Sequence, residues 1–139
     1  MRLVPVAVAI FIKKNANGQF DTFIQQRTAG NLKGFWEFPG GKIESGESSW
    51  EALCREIEEE VYFKISSPGE LMGIYPVDYG EVRVLLNVYK IPWAPELESA
   101  AGKIVTLQKN ADITQWQVEL LPANIRLVED LCQGLYHQP

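Results

Sequence analysis

Four charged side chains on one predicted helix are the residues of this sequence best suited to chemistry: Arg55, Glu56, Glu59 and Glu60. Positions i, i+3 and i+4 share one helix face, so the three glutamates lie side by side. Such like-charge neighbours repel one another by about 0.2–0.5 kcal/mol per pair. Hard divalent cations prefer carboxylate oxygen, so this face predicts a metal site, with a solvated acidic surface as the alternative.

A capping box predicts where this helix begins. Ser48 is followed three residues later by Glu51, the pattern in which each side chain satisfies the other residue's backbone N–H. A second face of the helix is apolar and is expected to pack on the core: Trp50, Leu53, Cys54, Ile57 and Val61. Gly40 and Gly41 precede the helix in a predicted glycine-rich turn, where the backbone can approach a ligand closely.

The spacing of these residues resembles the Nudix box, G-x5-E-x7-R-E-U-x-E-E-x-G-U, in which U is aliphatic or similarly apolar. Gly41, Glu47 and Arg55 have the separations that this pattern requires. Residues 55–63 align with the remaining positions of the box. One position differs, because Tyr62 stands where the family has glycine. Glycine suits the left-handed turn that ends a helix, and another residue there costs roughly 1–2 kcal/mol. Either the helix continues past this position or its turn is strained.

The Nudix resemblance implies hydrolysis of a nucleoside diphosphate linked to another moiety, with Mg2+ or Mn2+ as cofactor. It implies that one carbonyl oxygen and three carboxylates hold the metal: Gly40, Glu56, Glu59 and Glu60. The catalytic residues that it implies are Glu47, Arg55, Glu56 and Glu59. Arg55 would orient the carboxylates through charge-assisted hydrogen bonds. Glu47 would act through these residues without contacting the metal itself.

The general base stays open at this point. Its candidates are two carboxylates of the box and three from later loops: Glu56, Glu59, Glu96, Glu98 and Asp112. The only histidine is His137, close to the C-terminal end of the sequence. Mechanisms that use a histidine base, such as the serine triad, are therefore disfavoured.

Beyond the box, the chain is similar to the MutT branch of this family over nearly its whole length. The similarity includes the segments Ile24–Arg27, Trp36–Glu44 and Leu121–Asn124. It implies cleavage of 8-oxo-dGTP to the monophosphate and pyrophosphate, which cleans the nucleotide pool and so protects DNA. Removal of pyrophosphate from the 5′ end of RNA is the alternative within the enzyme class. A nucleotide-sensing module that binds without hydrolysis is the alternative outside it.

The MutT resemblance implies four substrate-binding residues: Arg27, Phe38, Lys42 and Asn124. Asn124 would read the purine edge, because an amide donates and accepts hydrogen bonds at once. Arg27 and Phe38 would contact the nucleotide and its base, and Lys42 a phosphate. The structural alternatives are surface charge for the two cations, core for Phe38 and a first-turn polar residue for Asn124. Ala123 stands where the branch usually has a second polar contact, which weakens selectivity for an oxidised guanine.

Composition limits the partners of the chain. Its 139 residues, 46% hydrophobic and 22% charged, predict one globular domain, 1–139. The net charge of −5 disfavours long nucleic acids, whose backbones require basic clusters. Cys54 and Cys132 have neither metal-ligand spacing nor a disulfide pattern. With no signal peptide and no membrane-spanning run, the expected location is the cytoplasm. Both a monomer and a dimer are compatible with the sequence.

The elements that must position these residues are strands and two helices. Predicted strands or strand-like segments are 3–12, 20–27, 35–38, 65–75, 81–91, 104–107 and 113–116, with a hairpin turn at Asn17-Gly18. The last helix begins at Leu121-Pro122, with apolar positions at helical spacing: Ile125, Val128, Leu131, Cys132 and Leu135. Strands around two separated helices predict an α+β or α/β sandwich. The resemblance implies an α/β/α sandwich, a mixed sheet flanked by the box helix and the C-terminal helix.

Overall fold

The computed structural model describes residues 1–137, and within them it has seven strands, two α-helices and two short 3-10 helices. The strands are β1 (Arg2–Lys14), β2 (Phe20–Gln26), β3 (Trp36–Glu37), β4 (Gly40–Lys42), β5 (Glu70–Tyr79), β6 (Val82–Pro92) and β7 (Lys103–Leu107). The helices are α1 (Ser49–Val61) and α2 (Pro122–Tyr136), and the 3-10 turns are Pro95–Ser99 and Thr114–Trp116. Antiparallel pairs and one parallel bridge make the sheet mixed. The predicted α+β class is confirmed. None of the described helices is long and apolar enough to cross a membrane.

The chain divides into two compact units. The first comprises residues 1–11 and 39–101, and the second comprises residues 12–38 and the chain from Gly102. Strand β1 contributes its first part to one unit and its end to the other.

In the first unit, β4 pairs antiparallel with β1, with Val8 opposite Gly40 and Val6 opposite Lys42. The prediction of a simple turn at Gly40 and Gly41 is therefore wrong, since both lie in a strand. A Cβ on Gly40 would overlap the carbonyl oxygen of Ala7, so only glycine permits this close pairing. The pairing fixes the point from which the chain enters α1.

The other strands of the first unit form a long hairpin. β5 and β6 pair over their length with a bulge between Leu71 and Gly73, and Gly80 makes the turn at φ 65°. Residues 78 and 79, predicted as part of a tight connection, belong to β5. Residues 65–69, predicted as the start of that strand, lie outside it. The strand is long because each residue from Val82 to Lys90 has a partner on β5.

In the second unit, β2 pairs with β7 on one side and with the end of β1 and β3 elsewhere along its length. Tyr136 of α2 closes the end of the β2–β7 ladder. Its hydroxyl accepts from Phe20 N at 2.9 Å and donates to Leu107 O at 2.6 Å. The C-terminal helix is thus bonded directly to the sheet of its own unit.

Two details of the second unit differ from the sequence prediction. The segment 113–116 is a 3-10 turn rather than a strand, and Trp116 there is buried with its indole donating to Thr106 O. On α2, Ile125 is 42% exposed, whereas Asn124 is only 4% exposed. Helical spacing alone predicted that Ile125 faces the core. In the structure Asn124 is the residue that is buried.

Candidate active site

Helix α1 begins where the capping box predicts. Ser48 Oγ accepts from Glu51 N at 3.1 Å, and Glu51 Oε1 accepts from Ser48 N at 2.9 Å. The predicted core face is confirmed for Leu53, Ile57 and Val61, which are buried together with Ala52. Trp50 and Cys54, predicted on the same face, are only half-buried, since they lie at its margin. These contacts fix the direction in which the opposite, charged face points.

The helix ends at Val61, and Tyr62 adopts the left-handed conformation with φ 65° and ψ 36°. Its N–H donates to Ile57 O, which closes the helix. The ring is 85% exposed. Of the two alternatives for this position, the strained turn is therefore the one adopted.

We expect Tyr62→Gly to raise the free energy of unfolding by about 0.5–1 kcal/mol, because glycine adopts this conformation without steric cost but loses more entropy on folding. Urea denaturation monitored by circular dichroism measures the change. Tyr62→Ala is the matched control, since it removes the ring but keeps the strained Cβ. Equal stability of the two variants would contradict strain as the cause.

Arg55 donates hydrogen bonds to three carboxylates of the box. Its Nε and Nη2 donate to Glu47 Oε2 at 2.8 Å and Oε1 at 2.9 Å. Its Nη1 donates to Glu56 Oε1 at 2.9 Å and to Glu59 Oε2 at 3.3 Å. Nη2 also donates to the carbonyl oxygen of Lys42 at 3.1 Å. One half-buried guanidinium therefore ties the loop to the acidic face of α1.

Glu47 is held ionised by this contact. The Arg55 guanidinium, followed by the backbone N–H of Glu44, lowers the pKa of Glu47 to about 2. The same pairing raises the pKa of Arg55. Glu44, which was not among the predicted site residues, has its Oε1 at 3.7 Å from Arg55 Nη1. Its place within the matched spacing between Gly41 and Glu47 is the signal that could have found it.

The depressed pKa of Glu47 predicts a pH dependence of stability. The ionised form is stabilised in the folded state, so this contribution is complete above the ordinary carboxyl pKa, here 4.5, and is lost as the pH falls towards 2. We expect Glu47→Gln to flatten the pH profile of unfolding free energy within that window. Urea denaturation at intervals from pH 2 to 7 tests this. Glu51→Gln does not remove the Arg55 pair, and an equal flattening there would contradict the assignment.

The carboxylates suit a hard divalent cation, because their contacts with Arg55 do not use every oxygen. Arg55 Nη1 donates hydrogen bonds to Oε1 of Glu56 and Oε2 of Glu59, so the second oxygen of each carboxylate is not used by Arg55 and could bind a cation. A Cβ on Gly41 would overlap the Glu56 carboxylate, so the glycine keeps that space open. Glu60 is exposed on the same helix. Within residues 1–137, no three acidic, histidine or cysteine side chains already converge on one point, so a cation would have to draw its ligands together.

The later-loop candidates for the general base differ in their surroundings. Glu96 and Glu98 are exposed on the 3-10 turn 95–99 of the first unit, and Glu98 accepts from Trp93 Nε1 at 3.2 Å. Asp112 belongs to the second unit, where its Oδ1 accepts from Thr114 N at 2.9 Å. That bond lowers the pKa of Asp112 and starts the turn at Thr114.

In the second unit, Arg27 is engaged by its own neighbours. Its Nε and Nη2 donate to the two carboxylate oxygens of Glu37 at 3.1 and 3.2 Å, and its Nη1 donates to Asn31 O at 2.9 Å. Glu37 was not among the predicted site residues. The β2–β3 register, with Gln25 opposite Glu37, brings Arg27 and Glu37 together. The opposite charges of these two residues near neighbouring strands were the sequence signal that could have indicated the pair.

Two further residues of the predicted nucleotide site, Phe38 and Asn124, meet in this unit. Phe38 is 3% exposed, so its ring lies in the core, and its backbone N–H donates to Asn124 Oδ1 at 2.9 Å. Lys42 belongs to the first unit, where its side chain is exposed at the end of β4. The predicted residues therefore form a carboxylate–arginine cluster in one unit and an amide–strand contact in the other.

The sequence and the fold of this chain are similar to those of known proteins. A NUDIX domain model matches residues 3–124. The 8-oxo-dGTP diphosphatase of Proteus vulgaris is 31% identical over 99 residues, which cover 70% of this chain and 84% of that protein. An RNA pyrophosphohydrolase of Helicobacter pylori (strain P12) is 39% identical over 72 residues, which cover 52% of this chain and 43% of that relative. The match thus spans less than half of the second relative's length.

Among solved structures, the solution structure of the E. coli ORF135 protein superposes with a TM-score of 0.72 at 25% identity. The match covers 100% of this chain and 95% of that one.

Proposed function

The chain belongs to the NUDIX family of hydrolases, and on that premise we propose that it cleaves guanine nucleoside triphosphates, dGTP and 8-oxo-dGTP among them, to the monophosphate and pyrophosphate. Nudix hydrolases generally use divalent metal ions, and we propose Mg2+ or Mn2+ here. The observation that carries the proposal is the guanidinium of Arg55, which holds Glu47, Glu56 and Glu59 within one hydrogen-bonded cluster. The Proteus vulgaris relative, an 8-oxo-dGTP diphosphatase, supports the guanine substrate.

The acidic face of α1 would hold the metal. Glu56, Glu59 and Glu60 supply carboxylate oxygens, and the Gly40 carbonyl supplies a further donor in this proposal. A divalent cation bound there neutralises phosphate oxygens and acidifies water. The carboxylates must be correctly oriented for this, and Arg55 favours that orientation through its hydrogen bonds to Glu56 and Glu59.

Glu47 and Arg55 have a positioning role. Glu47 accepts from two nitrogens of Arg55, which leaves Nη1 free to point at Glu56 and Glu59. The pKa of Glu47, near 2, keeps this carboxylate charged at every pH at which the enzyme would work. For the base that takes the proton from water, Glu56, Glu59, Glu96 and Glu98 stay as candidates. Asp112, whose Oδ1 accepts from Thr114 N, stays a candidate beside them, as Glu98 does with its bond from Trp93 Nε1.

A substrate panel tests the proposed function. The protein is incubated with Mg2+ or Mn2+ and with dGTP, 8-oxo-dGTP, the other nucleoside triphosphates, nucleotide sugars and 5′-triphosphorylated RNA. Release of pyrophosphate together with the monophosphate, and highest kcat/KM with a guanine nucleotide, is the expected result. Turnover of none of these compounds would contradict hydrolysis and favour the nucleotide-sensing alternative.

Removal of pyrophosphate from RNA is the second candidate. The observation that favours it is the 39% identity to the Helicobacter pylori RNA pyrophosphohydrolase over 72 residues. The net charge of −5 limits contacts with a long RNA, so this reading requires recognition of the 5′ end alone. A triphosphorylated RNA hydrolysed with higher kcat/KM than dGTP would replace the first candidate with this one.

A further inference from the structure

Strand β5 ends the strand order β1-β6-β5 of the first unit, and it pairs with β6 alone among the strands of residues 1–137. Two other outer strands have a covering segment. Trp116 Nε1 donates to Thr106 O on β7, and Trp36 N on β3 donates to Glu119 O. The outer side of β5 meets no such strand or turn, and an open sheet edge of this kind pairs readily with another strand.

The turn of the β5–β6 hairpin decides which backbone groups of β5 point outward. Its loop has two residues, 80–81, so Tyr79 and Val82 exchange both of their hydrogen bonds. Hydrogen-bonded and non-hydrogen-bonded pairs alternate from there, which places the N–H and C=O groups of Ile74 on the open edge. Pro76 occupies the same kind of position, where its missing N–H costs no hydrogen bond with β6.

The β-bulge of β5 decides where the side chains along this edge lie. Leu71 is opposite Tyr89 on β6. Ile74 is opposite Asn87, which lies two residues before Tyr89 and therefore on the same face of the sheet. The unpaired residue Met72 thus brings Leu71 and Ile74 to one face, where they are 48% and 55% exposed. The edge presents two exposed apolar side chains beside open backbone groups.

We propose that β5 pairs antiparallel with the β5 strand of a second copy of this chain, with Leu71 opposite the partner's Ile74. A two-fold axis between Met72 and Gly73 relates the two strands, so each copy supplies the same surface. Four apolar side chains then meet on one face, and the open backbone groups of Ile74 gain hydrogen bonds. Residues 70–76 are not among the predicted site residues, so this pairing is independent of the proposed hydrolysis.

Charge and the position of the proline select this register. Pairing centred on Ile74 would set Glu70 opposite the partner's Asp78, and directly opposed carboxylates destabilise a sheet. In the proposed register each Glu70 is opposite the partner's Tyr75. The two Glu70 side chains are then about 17 Å apart along the strands, beyond the Debye length of roughly 8 Å. A long strand of another protein would meet the missing donor of Pro76, whereas the self-pair ends before it.

The first test measures the mass of the unmodified protein by sedimentation equilibrium. We expect the mass to rise from the 15.7 kDa of one chain towards twice that value as the concentration increases. A single chain at every concentration up to the millimolar range would overturn the proposal and leave the edge for a strand of a different protein.

The second test places a charge on the open edge. Ile74→Lys alters an exposed residue, so the fold is retained, and we expect the dissociation constant of the dimer to rise at least about tenfold. Ile125→Lys is the matched control, since it makes the same change at an exposed isoleucine of the second unit and should leave the dimer unaltered. Unchanged dimerisation of Ile74→Lys, or equal losses in the two variants, would overturn the proposal.

Hydrogen exchange on the unmodified protein distinguishes strand pairing from a contact of side chains alone. The amide of Ile74 faces the open edge and should exchange at least about tenfold more slowly at concentrations where the dimer predominates. The amide of Tyr75 faces β6 and should be protected at every concentration. A dimer in which the exchange rate of Ile74 is unchanged would overturn the proposal.

Discussion

Replacing Glu59 with glutamine is expected to lower kcat by at least about 100-fold while the protein stays folded. Glu59 retains one carboxylate oxygen beyond its bond with Arg55, on the face that is proposed to hold the metal. The amide has no charge to balance a divalent cation, and metal stabilisation of a phosphoryl-transfer transition state amounts to several kcal/mol. Steady-state hydrolysis of the best substrate, with circular dichroism to confirm folding, measures the effect.

Glu58 is the matched control for this change. It is the residue directly before Glu59 on α1, it is exposed, and it is not a predicted metal ligand. Glu58→Gln makes the same chemical alteration and the same change in net charge, so its kcat should stay within about twofold of the unmodified protein, as for an ordinary surface substitution. Near-normal activity of Glu59→Gln, or equal losses in the two variants, would remove the metal assignment.

Replacing Arg55 with lysine is expected to lower kcat/KM by about 10- to 100-fold, the usual effect of losing a residue that orients metal ligands. Lysine keeps the positive charge but has a single nitrogen in place of the three that contact Glu47, Glu56 and Glu59. The carboxylates would lose their common orientation. The dependence of rate on Mg2+ concentration should shift to higher concentrations, which loss of folding alone would not produce.

Arg126→Lys provides the comparison for this prediction. Arg126 pairs with Asp130 on the exposed face of α2, which belongs to the second unit, whereas the box residues belong to the first. Its substitution should leave both kcat/KM and the Mg2+ dependence unchanged. If Arg55→Lys behaves in the same way, the guanidinium has no positioning role and the cluster is an ordinary surface network.

The parts of the fold that could be predicted are those governed by neighbours along the chain. The capping box at Ser48, the turn at Asn17-Gly18 and the apolar face of α1 follow from local hydrogen bonding and helical periodicity. The 113–116 segment and Ile125 were mispredicted because burial of Trp116 and Asn124 depends on distant partners. The β4 strand was missed because its pairing requires β1, more than 30 residues earlier.

The candidate site shows the same division. Helical spacing placed Glu56, Glu59 and Glu60 on one face, and the assignment of these glutamates as metal ligands stays a prediction. Which Arg55 nitrogen meets which carboxylate, and the inclusion of Glu44, are settled only by the folded loop. The pairing of Arg27 with Glu37 could not be read from spacing, since the register of β2 and β3 sets it.

By itself, the sequence determined that a helix begins at Ser48, presents three carboxylates on one face and follows a pair of glycines. These are properties of consecutive residues, and backbone geometry fixes them wherever the helix packs. Only the tertiary structure decided that Tyr62 takes a strained turn and that Asn124 is buried with its oxygen bonded to Phe38 N. The contact of Asn124 joins segments far apart in the chain, and the end of α1 at Tyr62 follows from the burial of Val61 and Phe63 on either side of it, which no local pattern encodes.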